Sequence, residues 1–136
     1  MRYFVFFAFF VVLFACNMTE TEPKIILGRE WNSNAGVVAD TTSQFKLSDK
    51  IIIQIDNGKP FSASKVELRV YQDSNDNTPL FKHTTSVKGD EAKLTIGVAK
   101  PPTVRNILRT TTPGIYRITF TAGDSLLAEK KMELIK

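Results

Sequence analysis

Leu108-Arg109-Thr110-Thr111-Thr112-Pro113-Gly114-Ile115-Tyr116-Arg117-Ile118-Thr119-Phe120-Thr121 is the stretch on which the fold turns. From Tyr116 onward the apolar residues Tyr116, Ile118 and Phe120 alternate with Arg117, Thr119 and Thr121. Successive side chains of a strand point to opposite faces, so a period of two marks a strand with one buried face. The same pattern recurs upstream. Ile51, Ile53 and Ile55 alternate with Ile52 and Gln54. Val66, Leu68 and Val70 alternate with Glu67, Arg69 and Tyr71; Ala92, Leu94, Ile96 and Val98 alternate with Lys93, Thr95 and Gly97. The last run, Leu126 to Ile135, alternates less cleanly, because Lys130 falls on the apolar side. A bulge or an edge position would account for it.

Turn-forming residues sit between these runs. Asn57-Gly58-Lys59-Pro60, Asp73 through Pro79, Lys88-Gly89-Asp90 and Ala122-Gly123-Asp124-Ser125 interrupt them, the last as a tight hairpin. The nearest approach to a helix is Thr103 through Leu108, enough for one turn after Pro101-Pro102. Short alternating strands separated by turns predict an all-β, antiparallel sandwich or barrel.

The quoted stretch resembles the lead into strand F of immunoglobulin-like domains. Leu108, Gly114 and Tyr116 match that pattern in spacing. The resemblance implies that Leu108 lies in a helical turn, that Tyr116 packs inward, and that its hydroxyl bonds back to the turn's backbone, the tyrosine corner. Ile118 stands where antibody-type domains carry a Cys, no Cys lies on the earlier strands, and no Trp lies on the third. The likeness is therefore to the wide class of immunoglobulin-like and fibronectin-like sandwiches. It covers residues 45–136 and predicts an immunoglobulin-like β-sandwich after an N-terminal signal segment; past the tether, residues 24–136 read as one domain.

The amino end carries a different message. Arg2 is the only charge before Glu20, and residues 3–15 are apolar, six of them Phe. A spanning helix needs about 20 apolar residues. This shorter run, ending in a small residue and followed at once by polar sequence, has the parts of a secretory signal. Leu13-Phe14-Ala15-Cys16 resembles the bacterial lipobox, although Phe14 is bulkier than the usual occupant. That resemblance implies a signal peptide over residues 1–15 and a diacylglycerol thioether on Cys16. Cleavage would fall before Cys16, and a third acyl chain usually caps the new amino terminus. Cys16 is the only Cys, so no intramolecular disulfide can form. Two or more acyl chains make a stable anchor. Residues 16–23 read as the lipidated Cys and a short flexible tether. By the sorting pattern of enterobacterial lipoproteins, Asn17 after the Cys implies the outer membrane in a two-membrane host.

Few residues offer site chemistry. Asp73-Ser74-Asn75-Asp76-Asn77 resembles the calcium-ligating linker of cadherins, since carboxylate and amide oxygens suit a hard cation. The reading taken is a polar hairpin loop, with Asp73, Asn75, Asp76 and Asn77 as a calcium alternative. No metal or cofactor is expected. His83 is the only His, placed in an edge strand, and no Gly-x-Ser-x-Gly elbow accompanies it. Trp31 lies in a polar segment, residues 28–36, ahead of the clear strands. The charge is +4, or +3 once Arg2 leaves with the signal, and it is scattered. No nucleic-acid partner is expected. These features predict a non-enzymatic, membrane-anchored lipoprotein of the cell envelope that binds a protein or serves in envelope assembly. The alternatives are a carbohydrate- or polymer-binding module using Trp31, Tyr71 and Phe61, and a hydrolase built on His83. An exposed aromatic row would favour glycans, a charged or aliphatic face a protein, and a deep pocket joining His83 to a carboxylate would favour catalysis.

Overall fold

The computed structural model describes residues 22–73 and 78–136. Among the described residues nine strands and one short helix follow in order: β1 (Lys24–Asn32), β2 (Val37–Thr41), β3 (Gln44–Phe45), β4 (Ile52–Asp56), β5 (Lys65–Gln72), β6 (Phe81–Ser86), β7 (Lys93–Ile96), α1 (Val104–Leu108), β8 (Gly114–Ala122) and β9 (Ser125–Leu134). One sheet has the order β2-β1-β4-β7 and the other β3-β9-β8-β5-β6. All pairings are antiparallel except β3 with β9, which run parallel. The strands that alternate in sequence turn their apolar sets inward, except that the run from Ala92 to Val98 forms a strand only over Lys93–Ile96 and leaves Val98 exposed. Val66, Leu68 and Val70 of β5 meet Tyr116, Ile118 and Phe120 of β8, and Ile53 and Ile55 of β4 meet Ile25 and Leu27 of β1, in one buried cluster.

The residues 108–121 behave as their spacing predicts. α1 buries Val104, Ile107 and Leu108 at one end of the sandwich and closes with Arg109 in the left-handed region. Arg109 donates its N–H to the Arg105 carbonyl at 3.0 Å. The chain then passes through Gly114, whose φ of 144° suits a residue without Cβ. Tyr116 is buried and its hydroxyl donates to the Thr112 carbonyl at 2.5 Å. Gly123, at φ 60°, turns β8 back into β9.

β9 carries a register shift opposite Phe120 and Thr121, so the irregularity in its pattern does contain a bulge. The bulge does not move Lys130 off the inner face. Lys130 opposes Ile118, which is fully buried. It stays half-buried because its flank is a sheet margin: β3 covers β9 only at Glu133 and Leu134. A lysine there buries its stem and leaves its ammonium toward solvent.

The segment read as polar and preceding the strands is corrected by the structure. Residues 28–36 complete β1 and turn into β2, and Trp31 is a strand residue opposite Val38. The inward pattern of β1 ends in Arg29, which hides the strand from a hydrophobicity reading. Arg29 is satisfied locally. It bonds Asp49 at 3.2 Å, Asp40 at 3.2 Å and the Gln44 carbonyl at 3.1 Å, with its guanidinium 5.5 Å from the Phe45 ring centre. This cluster ties β1 to the crossing between the sheets and to the turn at residues 46–49.

Asp49 also accepts the Lys46 backbone N–H at 2.8 Å. That bond first, and the Arg29 guanidinium second, hold its carboxyl below the ordinary aspartate range, against the opposing effect of burial. A depressed folded pKa means stability that is present above the unfolded pKa, about 3.9. It is lost as pH falls through the folded value. Urea midpoints should therefore drop as pH falls below about 4. Asp49→Asn should be less stable at neutral pH and lose less on acidification, so that the two curves converge. Parallel curves would contradict the arrangement.

Candidate functional site

The outer face of the five-stranded sheet collects the polar half of three alternating strands. Because Val66, Leu68 and Val70 point inward, Glu67, Arg69 and Tyr71 of β5 point out, as do Arg117 of β8 and Glu129, Lys131 and Glu133 of β9. Pairing sets them side by side: Tyr71 opposes Arg117, and Arg117 opposes Lys131. The Arg117 guanidinium lies 4.8 Å from the Tyr71 ring centre, within cation–π range. Arg69 contacts Glu67 at 2.6 Å, Arg117 reaches Glu129 at 3.7 Å, and Lys131 reaches Asp73 at 3.5 Å. Gln44 Nε2 donates to Glu133 at 3.1 Å. Within this charged lattice Ile115 is 41 % exposed.

The electrostatics follow from those contacts. The Arg69 hydrogen bond, opposed by burial, holds the Glu67 carboxyl below its ordinary range. Glu67 and then Tyr71 hold the Arg69 guanidinium firmly protonated. Both charges persist across the neutral range. Exposed ion pairs of this kind add little stability, with a median of about 0–1 kcal/mol.

The other residues singled out by sequence scatter over the molecule. Trp31 is half-buried on the four-stranded sheet, while Tyr71 lies on the other sheet under Arg117. Phe61 is a core residue, 4 % exposed, and cannot serve as a platform. The three form no row. His83 is exposed, stacked near Phe81 with ring centres 6.4 Å apart, and borders a shallow trough in which no carboxylate takes part. Asp73 is engaged by Lys131. Asn75, Asp76 and Asn77, the rest of the calcium alternative, lie outside the described residues, as do Cys16, Asn17 and the whole lipobox. Among the described residues, no group of three His, Cys, Asp or Glu side chains gathers as metal ligands would. None of their helices is long and apolar enough to cross a membrane.

In the five-stranded sheet the β3–β9 margin lies next to the β8–β5 centre of the charged face. No protein-family model matches the chain, and no curated protein matches it. Among solved structures it is similar to an immunoglobulin-like protein of Pseudomonas aeruginosa. The similarity has a TM-score of 0.52 at 15% identity and covers 86% of this chain and 99% of that one. The fold is an immunoglobulin-like β-sandwich. At that identity the likeness concerns architecture alone, because function lives in sites grafted on a fold. The sequence reading supplied the alternation that puts Glu67, Arg69 and Arg117 on outward positions. It gave no sign that β5, β8 and β9 are neighbours, and so missed the face as a unit.

Proposed function

We propose that the chain is a lipid-anchored, non-catalytic module of the bacterial cell envelope that binds a protein partner through the outer face of its five-stranded sheet. The observation that carries this reading is the lattice around Tyr71: two arginines, Arg69 and Arg117, with exposed Ile115 and acidic and basic neighbours on one sheet surface. Tyr and Arg are enriched at protein interfaces, where they supply area and directed hydrogen bonds. A pattern of both charge signs gives register and selects partners. Glycan binding finds less support, since Trp31 and Tyr71 occupy different sheets and a guanidinium covers the Tyr71 ring.

Anchoring rests on the lipobox-like Leu13-Phe14-Ala15-Cys16 and, for the outer membrane, on Asn17. The position where the tether joins the domain is compatible with it. Lys24 begins β1 at the end of the four-stranded sheet that also holds Asp56 and Lys93. Lys59, Lys65 and Lys88 belong to strands and connections at that same end, and all are exposed. Asp56, Asp90 and Glu91 stand among them, so that end carries both signs of charge. Seven tether residues, Asn17 through Pro23, reach at most about 3.3–3.6 Å each, so the partner would be found close to the membrane.

Two measurements test the proposal separately. Cys16→Ala should leave the protein unprocessed or release it from the detergent phase; a processed variant that partitions like wild type would refute the anchor. Crosslinking in the native envelope should capture a partner that is lost with Arg69→Glu combined with Lys131→Glu, at an unchanged melting temperature. A partner captured equally by both forms would remove the charged face from the proposal.

A further inference from the structure

The sandwich is closed unequally along its two long sides. On one, the chain crosses from β2 to β3 and the Arg29 cluster seals the margin. On the other, β6 and β7 are the bare edges of opposite sheets. Leu94 and Ile96 of β7 stay half-buried, although their pairing partners Ile55 and Ile53 are wholly inside. Opposite them, Phe81, His83 and Thr85 of β6 point to the inner face, because they pair with Val70, Leu68 and Val66. Between the two edges runs an open trough of about 390 Å³ lined by His83, Thr85, Leu94, Ile96, Val98 and Lys100, among others. Val98 is 41 % exposed.

We infer that this side of the molecule accepts an extended, acidic segment of a partner protein by β-strand addition to β6, a site separate from the charged outer face. The phase of the ladder supports it. The Val87 N–H donates to the Ser64 carbonyl at 2.9 Å. In an antiparallel pair such bonded positions alternate. Thr85, His83 and Phe81 therefore bond toward β5, while the N–H and C=O groups of Lys82, Thr84 and Ser86 face outward. A strand paired there exchanges main-chain bonds with those residues. Its alternate side chains, opposite His83 and Thr85, enter the trough over Leu94 and Ile96, the arrangement by which added strands gain both affinity and selectivity.

The charges choose the occupant. The titratable groups lining the trough are His83 and Lys100, with no carboxylate among its lining residues. Lys82 projects from the accepting edge, near Glu67, and Lys93 stands at the start of β7, 3.8 Å from Asp56. Lysine on an edge strand is a device against pairing with another copy of the same edge. Here it disfavours a second β6, which would bring a second Lys82 to the same edge. A segment with apolar residues at every second position and Asp or Glu flanking them meets both the floor and the rim.

The experiment is selection of a library of linear peptides of random sequence on the full-length protein in detergent. Selection should enrich alternating apolar peptides with acidic flanks, and hydrogen exchange should show protection at the amides of Lys82, Thr84 and Ser86. Thr84→Pro removes an outward N–H, and an edge strand tolerates proline there; it should weaken binding at least about tenfold, or 1.4 kcal/mol. Should that variant unfold, Lys82→Glu with Lys100→Glu should weaken the same peptides comparably without altering the melt. Lys131→Glu, on β9 and three strands from β6, should leave them bound, which separates this site from the outer face. Enrichment of no linear peptide, of peptides indifferent to the β6 and Lys100 changes, or self-association through β6 instead, would overturn the inference.

Discussion

Tyr116→Ala should cost about 3–5 kcal/mol, the usual range for deleting a large aromatic from a packed interior. Domains of this kind hold only about 5–15 kcal/mol in total, so the variant should be largely unfolded in mild denaturant. Tyr116 is 1 % exposed and ranks among the largest fully buried side chains. Its ring joins the core between the sheets, and its hydroxyl donates to the Thr112 carbonyl across the Pro113–Gly114 bend. Two contributions are therefore lost together, and Tyr116→Phe separates them. The phenylalanine keeps the ring and removes one hydrogen bond, a loss of about 0.5–1.5 kcal/mol. The lower end is expected because Thr112 is exposed and its freed carbonyl can be hydrated. Urea unfolding with an unchanged slope measures both. An alanine variant that loses less than about 1 kcal/mol, or a phenylalanine variant with the wild-type midpoint, would contradict the corner.

That corner was legible in the sequence because its geometry is local. Leu108, Gly114 and Tyr116 lie close along the chain, and the decisive bond joins Tyr116 to Thr112. The strands with clean alternation were legible for the same reason. β1 was not: its inner positions pass from Ile25 and Leu27 to Arg29, and its outer position Ile26 is also apolar. Arg29 behaves as an inward residue only because Asp40, Asp49, the Gln44 carbonyl and the Phe45 ring converge on it. β3 is two residues long and leaves no period to find. The candidate site was half legible. Alternation assigns Glu67, Arg69, Tyr71 and Arg117 to outward positions, but the contact of Tyr71 with Arg117 depends on β5 pairing with β8 across a long stretch of chain. Phe61 was a candidate only as an aromatic side chain, and tertiary packing draws it into the core.

Gly28→Ala should destabilise the fold by about 1–3 kcal/mol, the usual cost of forcing extra volume into a packed site. Elsewhere in a strand interior the same change would be favourable by roughly 0.5–1 kcal/mol, because glycine gives up more backbone freedom on folding. Packing reverses the sign here. Gly28 sits in β1 between β2 and β4, opposite Thr41 on one side and Ile52 on the other. A Cβ on it would come within 2.5 Å of the Ala39 carbonyl oxygen and 2.5 Å of Val38 Cγ1. β2 bends across this point, with Asp40 at a φ of 48°. Val38 and Ile52 are both buried, yet stand apart from the main core cluster. The absent side chain is thus what lets Val38 settle against the outer surface of the four-stranded sheet. The two obstacles differ in kind, and a double variant distinguishes them. Val38→Ala removes the side-chain contact but leaves the carbonyl, which can move only if the β1–β2 ladder moves. A substantial part of the Gly28→Ala cost should therefore persist in the Val38→Ala background. If the cost vanished there, the side chain would be the whole obstruction. If Gly28→Ala were neutral or stabilising in the otherwise native chain, β2 could not lie this close over β1.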